Sequence, residues 1–182
     1  MILRFALLTT LAFSVAGFSS AAEKMRLDSE KSKINFVGSK PDGKHPGGFK
    51  EFTADAVVDL EDPSNGSLEI VITAASLFSD SDKLTNHLKS PDFFDVRKHP
   101  KITFKATKIT HADGEEKASI TGIMTMLGKE VEVTIPVAAK VTETEITLTA
   151  NFKIDRTKWG MVYGKGKIDD EVPVTAVLVL NR

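Results

Sequence analysis

Cysteine is absent from the 182 residues, and tryptophan and tyrosine occur once each. Without a thiol the chain forms no disulfide, thiolate zinc site or iron–sulfur cluster, and it has no cysteine nucleophile or lipoprotein-type acylation. Stability must come from an ordinary apolar core. Charge of one sign is also lacking, because 24 Lys+Arg stand against 25 Asp+Glu. Nucleic-acid affinity rests on cation–phosphate neutralisation, so a nucleic-acid partner is not expected.

Catalytic and metal-binding signatures are missing as well. His45, His87, His99 and His111 are scattered, with no HxH or HExxH spacing, so no metal is expected. Asp80-Ser81-Asp82 begins like a calcium loop, but Thr85 stands where glycine is needed and no glutamate closes it. The stretch from Gly160 to Ile168 imitates a phosphate loop at the wrong length, with Ile168 in the magnesium-binding position, and reads as a glycine-rich turn. Asn65-Gly66-Ser67 matches a glycosylation sequon but reads first as a turn. No GxSxG or SxxK nucleophile occurs. The expectation is a non-enzymatic protein without a cofactor. An enzymatic reading would need titratable groups converging from among His45, His87, His99 and Asp155.

Residues 1–22 read as a secretory signal peptide. Arg4 precedes an apolar run from Phe5 to Phe18, and Ser19 to Ala22 supply small residues for cleavage near Ala22. The run is shorter than the roughly 20 residues of a transmembrane helix. A single domain over residues 23–182, in a bacterial periplasm or secreted, is the expectation.

Within that domain apolar and polar residues alternate with period two. Ile34 to Val37, Phe49 to Leu60, Leu68/Ile70/Ile72/Ala74, Ile102/Phe104/Ala106, Ile120/Gly122/Met124/Met126, Val131/Val133/Ile135/Val137, Ile146/Leu148/Ala150/Phe152/Ile154 and Val172 to Leu180 make eight strands. Asn65-Gly66, Asp113-Gly114 and Leu127-Gly128 offer residues that tolerate positive φ between them, while Lys40 to Gly48 reads as a Gly/Pro-rich loop. Residues 79–90 depart from the alternation. They carry N-cap candidates and the pair Leu84/Leu88, and read as one short helix stopped by Pro91. The fold class is all-β, an antiparallel eight-stranded barrel or sandwich with one helical insertion.

A barrel of eight strands is filled by its own side chains or holds one slender ligand. Gly122, Ala106, Ala118 and Ala150 leave room, whereas Met124 and Met126 also serve as gap fillers of a solid core. Phe93-Phe94 and the pair Trp159/Tyr163 are either the rim of a cavity or end caps of a core.

One segment is more specific than the rest. His87 to Thr107, HLKSPDFFDVRKHPKITFKAT, resembles the HLxSxDFFDVxxxPxITFxS segment of the YceI-like family, supported by Gly48 to Phe52, Ile120-Thr121-Gly122, Ile154-Asp155-Arg156 and Trp159-Gly160. The resemblance covers about the whole mature chain. It departs at Leu127-Gly128, where the family often has His-Gly, and between Gly38 and Gly48. It implies a lipocalin-like barrel whose elongated apolar cavity binds a polyisoprenoid or isoprenoid quinone without catalysis. Transient membrane contact is a separate expectation for the chain. Inward positions and the loop aromatics nominate Phe36, Ile72, Phe93, Phe94, Ile102, Phe104, Ile120, Met124, Met126, Phe152, Trp159 and Tyr163 as the apolar lining of that cavity. The alternative is a solid-cored structural or stress-related interaction protein without a ligand.

Overall fold

A computed structural model describes residues 22–111 and 117–182. The signal-peptide segment ahead of Ala22 and the Asp113-Gly114 turn lie outside the described residues. The strands are β1 (Glu23–Leu27), β2 (Lys33–Lys40), β3 (Gly43–Phe49), β4 (Phe52–Val58), β5 (Ser67–Thr73) and β6 (Leu77–Ser79). After helix α1 (Asp82–Leu88) come β7 (Lys101–His111), β8 (Lys117–Met126), β9 (Lys129–Val141), β10 (Glu145–Asp155) and β11 (Glu171–Asn181).

These segments occupy eight positions around a closed antiparallel barrel. The ring runs β1-β4-β5-β7-β8-β9-β10-β11 and returns to β1. The first three positions are each broken in two. β1 and β2 both pair with β11, β4 and β3 pair with them, and β5 and β6 follow in the same way. Hydrogen bonds bridge the β1/β2 break. Asp28 N–H donates to the Val179 carbonyl (2.8 Å), Val179 N–H donates to buried Ser32 Oγ (2.9 Å), and Glu30 and Lys31 N–H donate to Asp28 Oδ1. A strand can therefore change neighbours at Val179 with its own backbone still satisfied.

Three expectations need correction. β1 was not among the expected strands: its five residues offer a single buried side chain, Met25, between charged neighbours, too little for an alternation signal. The Lys40 to Gly48 loop is largely strand β3. Its proline, opposite Val37, sits just beyond the stretch where β3 also pairs with β6, so its missing N–H leaves no second neighbour unbonded. Asn65-Gly66 does not use positive φ. A 3₁₀ turn, Pro63–Asn65, capped by Asp62 accepting from Ser64 N–H, makes that corner, and Gly66 lies at φ −71°. The Leu127-Gly128 turn does use it, at φ 54° and 72°.

One barrel end is sealed and the other is splayed. Met25, Ile146 and Leu180, at most 2% exposed, plug the closed end. At the opposite end β6 has no pairing with β7, and the β9–β10 ladder stops at Val137/Ala150. Residues 80–100, including α1, cover the first seam. The 3₁₀ turn Arg156–Trp159 and the loop after it cover the second. The short helix lies where the sequence predicts, with Ser81 Oγ accepting from Leu84 N–H.

Candidate functional site

Between the plug and the splayed end lies a cavity of about 540 Å³. Its wall is built by the alternation itself. Ile34 and Phe36 of β2, Ile70 and Ile72 of β5, Ile102 and Phe104 of β7, Ile120 and Met124 of β8, Ile135 and Val137 of β9, Leu148, Ala150, Phe152 and Ile154 of β10 and Val172, Val174, Ala176 and Leu178 of β11 line it. Of the twelve nominated residues, Phe36, Ile72, Phe93, Phe94, Ile102, Phe104, Ile120, Met124, Met126, Phe152 and Tyr163 line it.

Trp159 does not line the cavity. It is 1% exposed in the apolar cluster at the splayed end, and its indole N–H donates to the Met124 carbonyl at 3.0 Å. A buried indole needs such an acceptor, and the 3₁₀ turn places it there. The reading of Gly122 as free space also changes. A Cβ there would come within 2.7 Å of the Phe104 ring and 2.5 Å of the Lys105 carbonyl, so the phenylalanine already occupies what the glycine leaves. The remaining room comes from Ala150, Ala176 and the breadth of the splayed end.

Aromatic rings surround the mouth in two sets. Phe36, Phe49 and Phe94 pack with centroids 5.7–6.3 Å apart. His87, Phe93 and Tyr163 meet at 5.0–5.2 Å and join the two seam covers to each other. The Phe49–Phe94, His87–Phe93 and His87–Tyr163 pairs are edge-to-face, at 83–87°, an arrangement favoured by ring quadrupoles. The histidines are held by carboxylates: His45 Nδ1 lies 2.9 Å from Asp80 Oδ2, and His87 Nε2 lies 2.9 Å from Asp92 Oδ2. Both histidines line the cavity. His99 packs instead beside Gly128, and Asp155 caps the 3₁₀ turn, where hydrogen bonds from Thr157 hold its carboxyl below the ordinary range. Of the four candidates for an enzymatic reading, His45 and His87 thus share the cavity lining, whereas His99 and Asp155 lie outside it. Among the described residues no group of three His, Asp or Glu side chains is placed to hold a metal.

The sequence reading missed the role of Arg156. Its side chain is buried, and its five N–H donors reach five acceptors: the carbonyls of Met161 (2.7 Å), Tyr163 (2.9 Å), Ile168 (3.2 Å) and Asp169 (3.0 Å), and Asp170 Oδ1 (2.9 Å). The guanidinium thus fixes the loop that overhangs the mouth. Only a fork with five donors does this. The sequence signal was an arginine opening a turn of thirteen residues that contains no acid.

The sequence model of the YceI-like domain matches residues 25–180. The chain belongs to the YceI-like family. Curated relatives include UPF0312 proteins of Pseudomonas putida (strain GB-1), 35% identical over 53% of this chain and 47% of the relative, and of Pseudomonas savastanoi pv. phaseolicola, 32% identical over the same shares. The match spans about half the length of these relatives. Among solved structures, Burkholderia cenocepacia BcnA superposes with a TM-score of 0.79 at 28% identity, over 84% of this chain and 98% of that one. A polyisoprenoid binding domain from Saccharophagus degradans, implicated in plant cell wall breakdown, has the same fold at TM-score 0.67 and 16% identity, over 86% and 97%. In this YceI-like chain, Gly38, Ser39, Lys40 and His45 border the mouth.

Proposed function

We propose that this YceI-like protein binds and carries one elongated apolar lipid, an isoprenoid chain or isoprenoid quinone, in its barrel, without chemistry on it. The observation that carries the reading is the cavity: about 540 Å³, sealed at one end, open at the other, and lined mainly by apolar side chains, with polar groups at the mouth. That volume lies within the roughly 300–1,000 Å³ of small-molecule sites. At about 0.8 kcal/mol per buried CH₂, each five-carbon isoprene unit contributes roughly 3–4 kcal/mol before ordering costs. A few enclosed units suffice for tight binding, and polar mouth groups such as Ser39, Lys40 and His45 are available to a headgroup. The polyisoprenoid-binding neighbour supports the ligand class. The same cavity counts against a solid-cored protein acting through its surface. The signal-like segment 1–22 supports export to a periplasm or the exterior as the setting.

The test is native mass spectrometry with lipid extraction of protein isolated from a bacterial periplasm, followed by uptake of an added prenyl alcohol and a quinone. A stoichiometric lipid, or uptake of one of these, is expected. Ligand-free protein that takes up neither overturns the reading.

A further inference from the structure

Four large apolar side chains are exposed among the described residues: Leu60, Val141, Val162 and Tyr163. Two of them are neighbours, Val162 at 55% and Tyr163 at 46%, and they form the tip of the loop over the mouth. Residues 156–168 of that loop hold four cations and no acid, in a chain whose net charge is −1. Arg156 is spent inside the loop, and Lys158 lies near Asp155, whose carboxyl it helps to hold low. Lys165 and Lys167 are exposed and make no ion pair among the described residues. The next acids are Asp169, exposed on the cavity wall, and Asp170, bonded to Arg156.

The loop is a built feature and not a frayed one. Arg156 binds four of its carbonyls from below, and Gly160, Gly164 and Gly166 take the positive φ values of 88°, 66° and 78° that its tight path needs. Nothing lies within 4 Å of a Cβ placed on Gly166, so the lysine-bearing turn stands clear of the barrel. An exposed valine and an exposed amphipathic tyrosine beside lysines without ion pairs are the chemistry of an interfacial anchor, in which the apolar side chains enter the headgroup layer and the cations meet lipid phosphates.

We propose that the loop Thr157 to Ile168 docks the protein on an anionic bilayer, with Val162 and Tyr163 inserted and Lys165 and Lys167 against the phosphates. Tyr163 also packs on His87 and Phe93 and lines the cavity, so docking sets the mouth itself against the lipid layer. That last step rests on the lipid-carrying function proposed above. No helix of the described residues is long and apolar enough to span a membrane.

The experiment uses ligand-free protein over residues 23–182 with vesicles of phosphatidylcholine alone and of phosphatidylcholine with phosphatidylglycerol. Co-sedimentation with the anionic vesicles only, weakened by salt, is expected. Lys165→Gln with Lys167→Gln should weaken it by about five-fold per lysine, roughly 25-fold together. Because the chain has no cysteine, Val162→Cys carries one environment-sensitive dye, and Val141→Cys, exposed at the sealed end, is the control. A blue shift on anionic vesicles at position 162 and none at 141 supports the proposal. Equal shifts at both positions, no binding to anionic vesicles, or unchanged binding by the lysine variant overturns it. Protein that takes up a prenyl alcohol from solution yet ignores anionic vesicles overturns the docking alone. Protein that docks yet carries no lipid overturns the lipid-binding function alone.

Discussion

Arg156 is the residue on which the mouth depends, since one buried guanidinium closes a loop by bonding four carbonyls and a carboxylate. Arg156→Lys keeps the charge but offers three donors to five acceptors, so at least two of them lose their partner. Removing one partner of a buried, hydrogen-bonded charge costs about 3–5 kcal/mol, and Arg156→Ala should approach this range, with the lysine variant between it and wild type. Urea unfolding measures the loss, and a red shift of the single tryptophan, Trp159, would show that the turn has opened. An unchanged midpoint in Arg156→Ala would mean that the loop holds itself. Asp28 acts at the other end, where the Lys31 N–H bond foremost holds its carboxyl below the ordinary range despite the opposing effect of burial. The native state therefore binds fewer protons than the unfolded one, so this contribution is complete at neutral pH and is lost as the pH falls below about 4. Asp28→Asn should melt lower than wild type at neutral pH, with the difference narrowing as the pH falls below about 4. A constant difference across that range would assign the effect to packing.

Elements divide by how much of their stability is written in their own residues. β7 to β11 each run ten residues or more, and their alternation is legible because every second side chain enters the barrel. Even the bulge between Ala106 and Lys108, which lets Ile109 point inward again, shows in the spacing once the strand is known. β1, β3 and β6 are different. What makes them strands is the ladder offered by β11 and β4 to β1, by β2 to β3 and by β3 to β6, which no local pattern encodes. The site divides along the same line. Wall residues such as Phe104 and Phe152 follow from parity, whereas Arg156 and the displaced Trp159 depend on a loop path set by tertiary bonds. Since β1 closes the ring through few contacts, Met25, 2% exposed, should matter out of proportion to its strand. Met25→Ala is expected to cost about 2–5 kcal/mol. Hydrogen exchange at the β1–β4 amides would show whether the seal opens before the barrel unfolds. Exchange only with global unfolding would argue against a separable seal.

At the scale of the whole molecule, the fold has to remain closed while part of its interior is left to another molecule. The sealed end supplies packing, with Ile146 and Leu180 at most 2% exposed, and the splayed end supplies access. A ligand that binds only the folded barrel should therefore stabilise it by linkage, by about 2.7 kcal/mol at a hundredfold excess over Kd. For a domain of this size that is roughly 5–10 °C in Tm. Ala150 decides whether the effect comes from the cavity, because it lies on the wall between the β9 and β11 ladders and its methyl leaves space ahead of it. Ala150→Phe should put a ring across the deep half, where it meets void instead of packed atoms, so the usual overpacking penalty of about 1–3 kcal/mol should be largely absent. Melting of the ligand-free variant checks that point. With a long isoprenoid added, the variant should show little of the rise seen in wild type. With a short prenyl alcohol, which needs only the outer half, the rise should persist. A rise with the long ligand equal to that of wild type would place the binding outside the barrel axis.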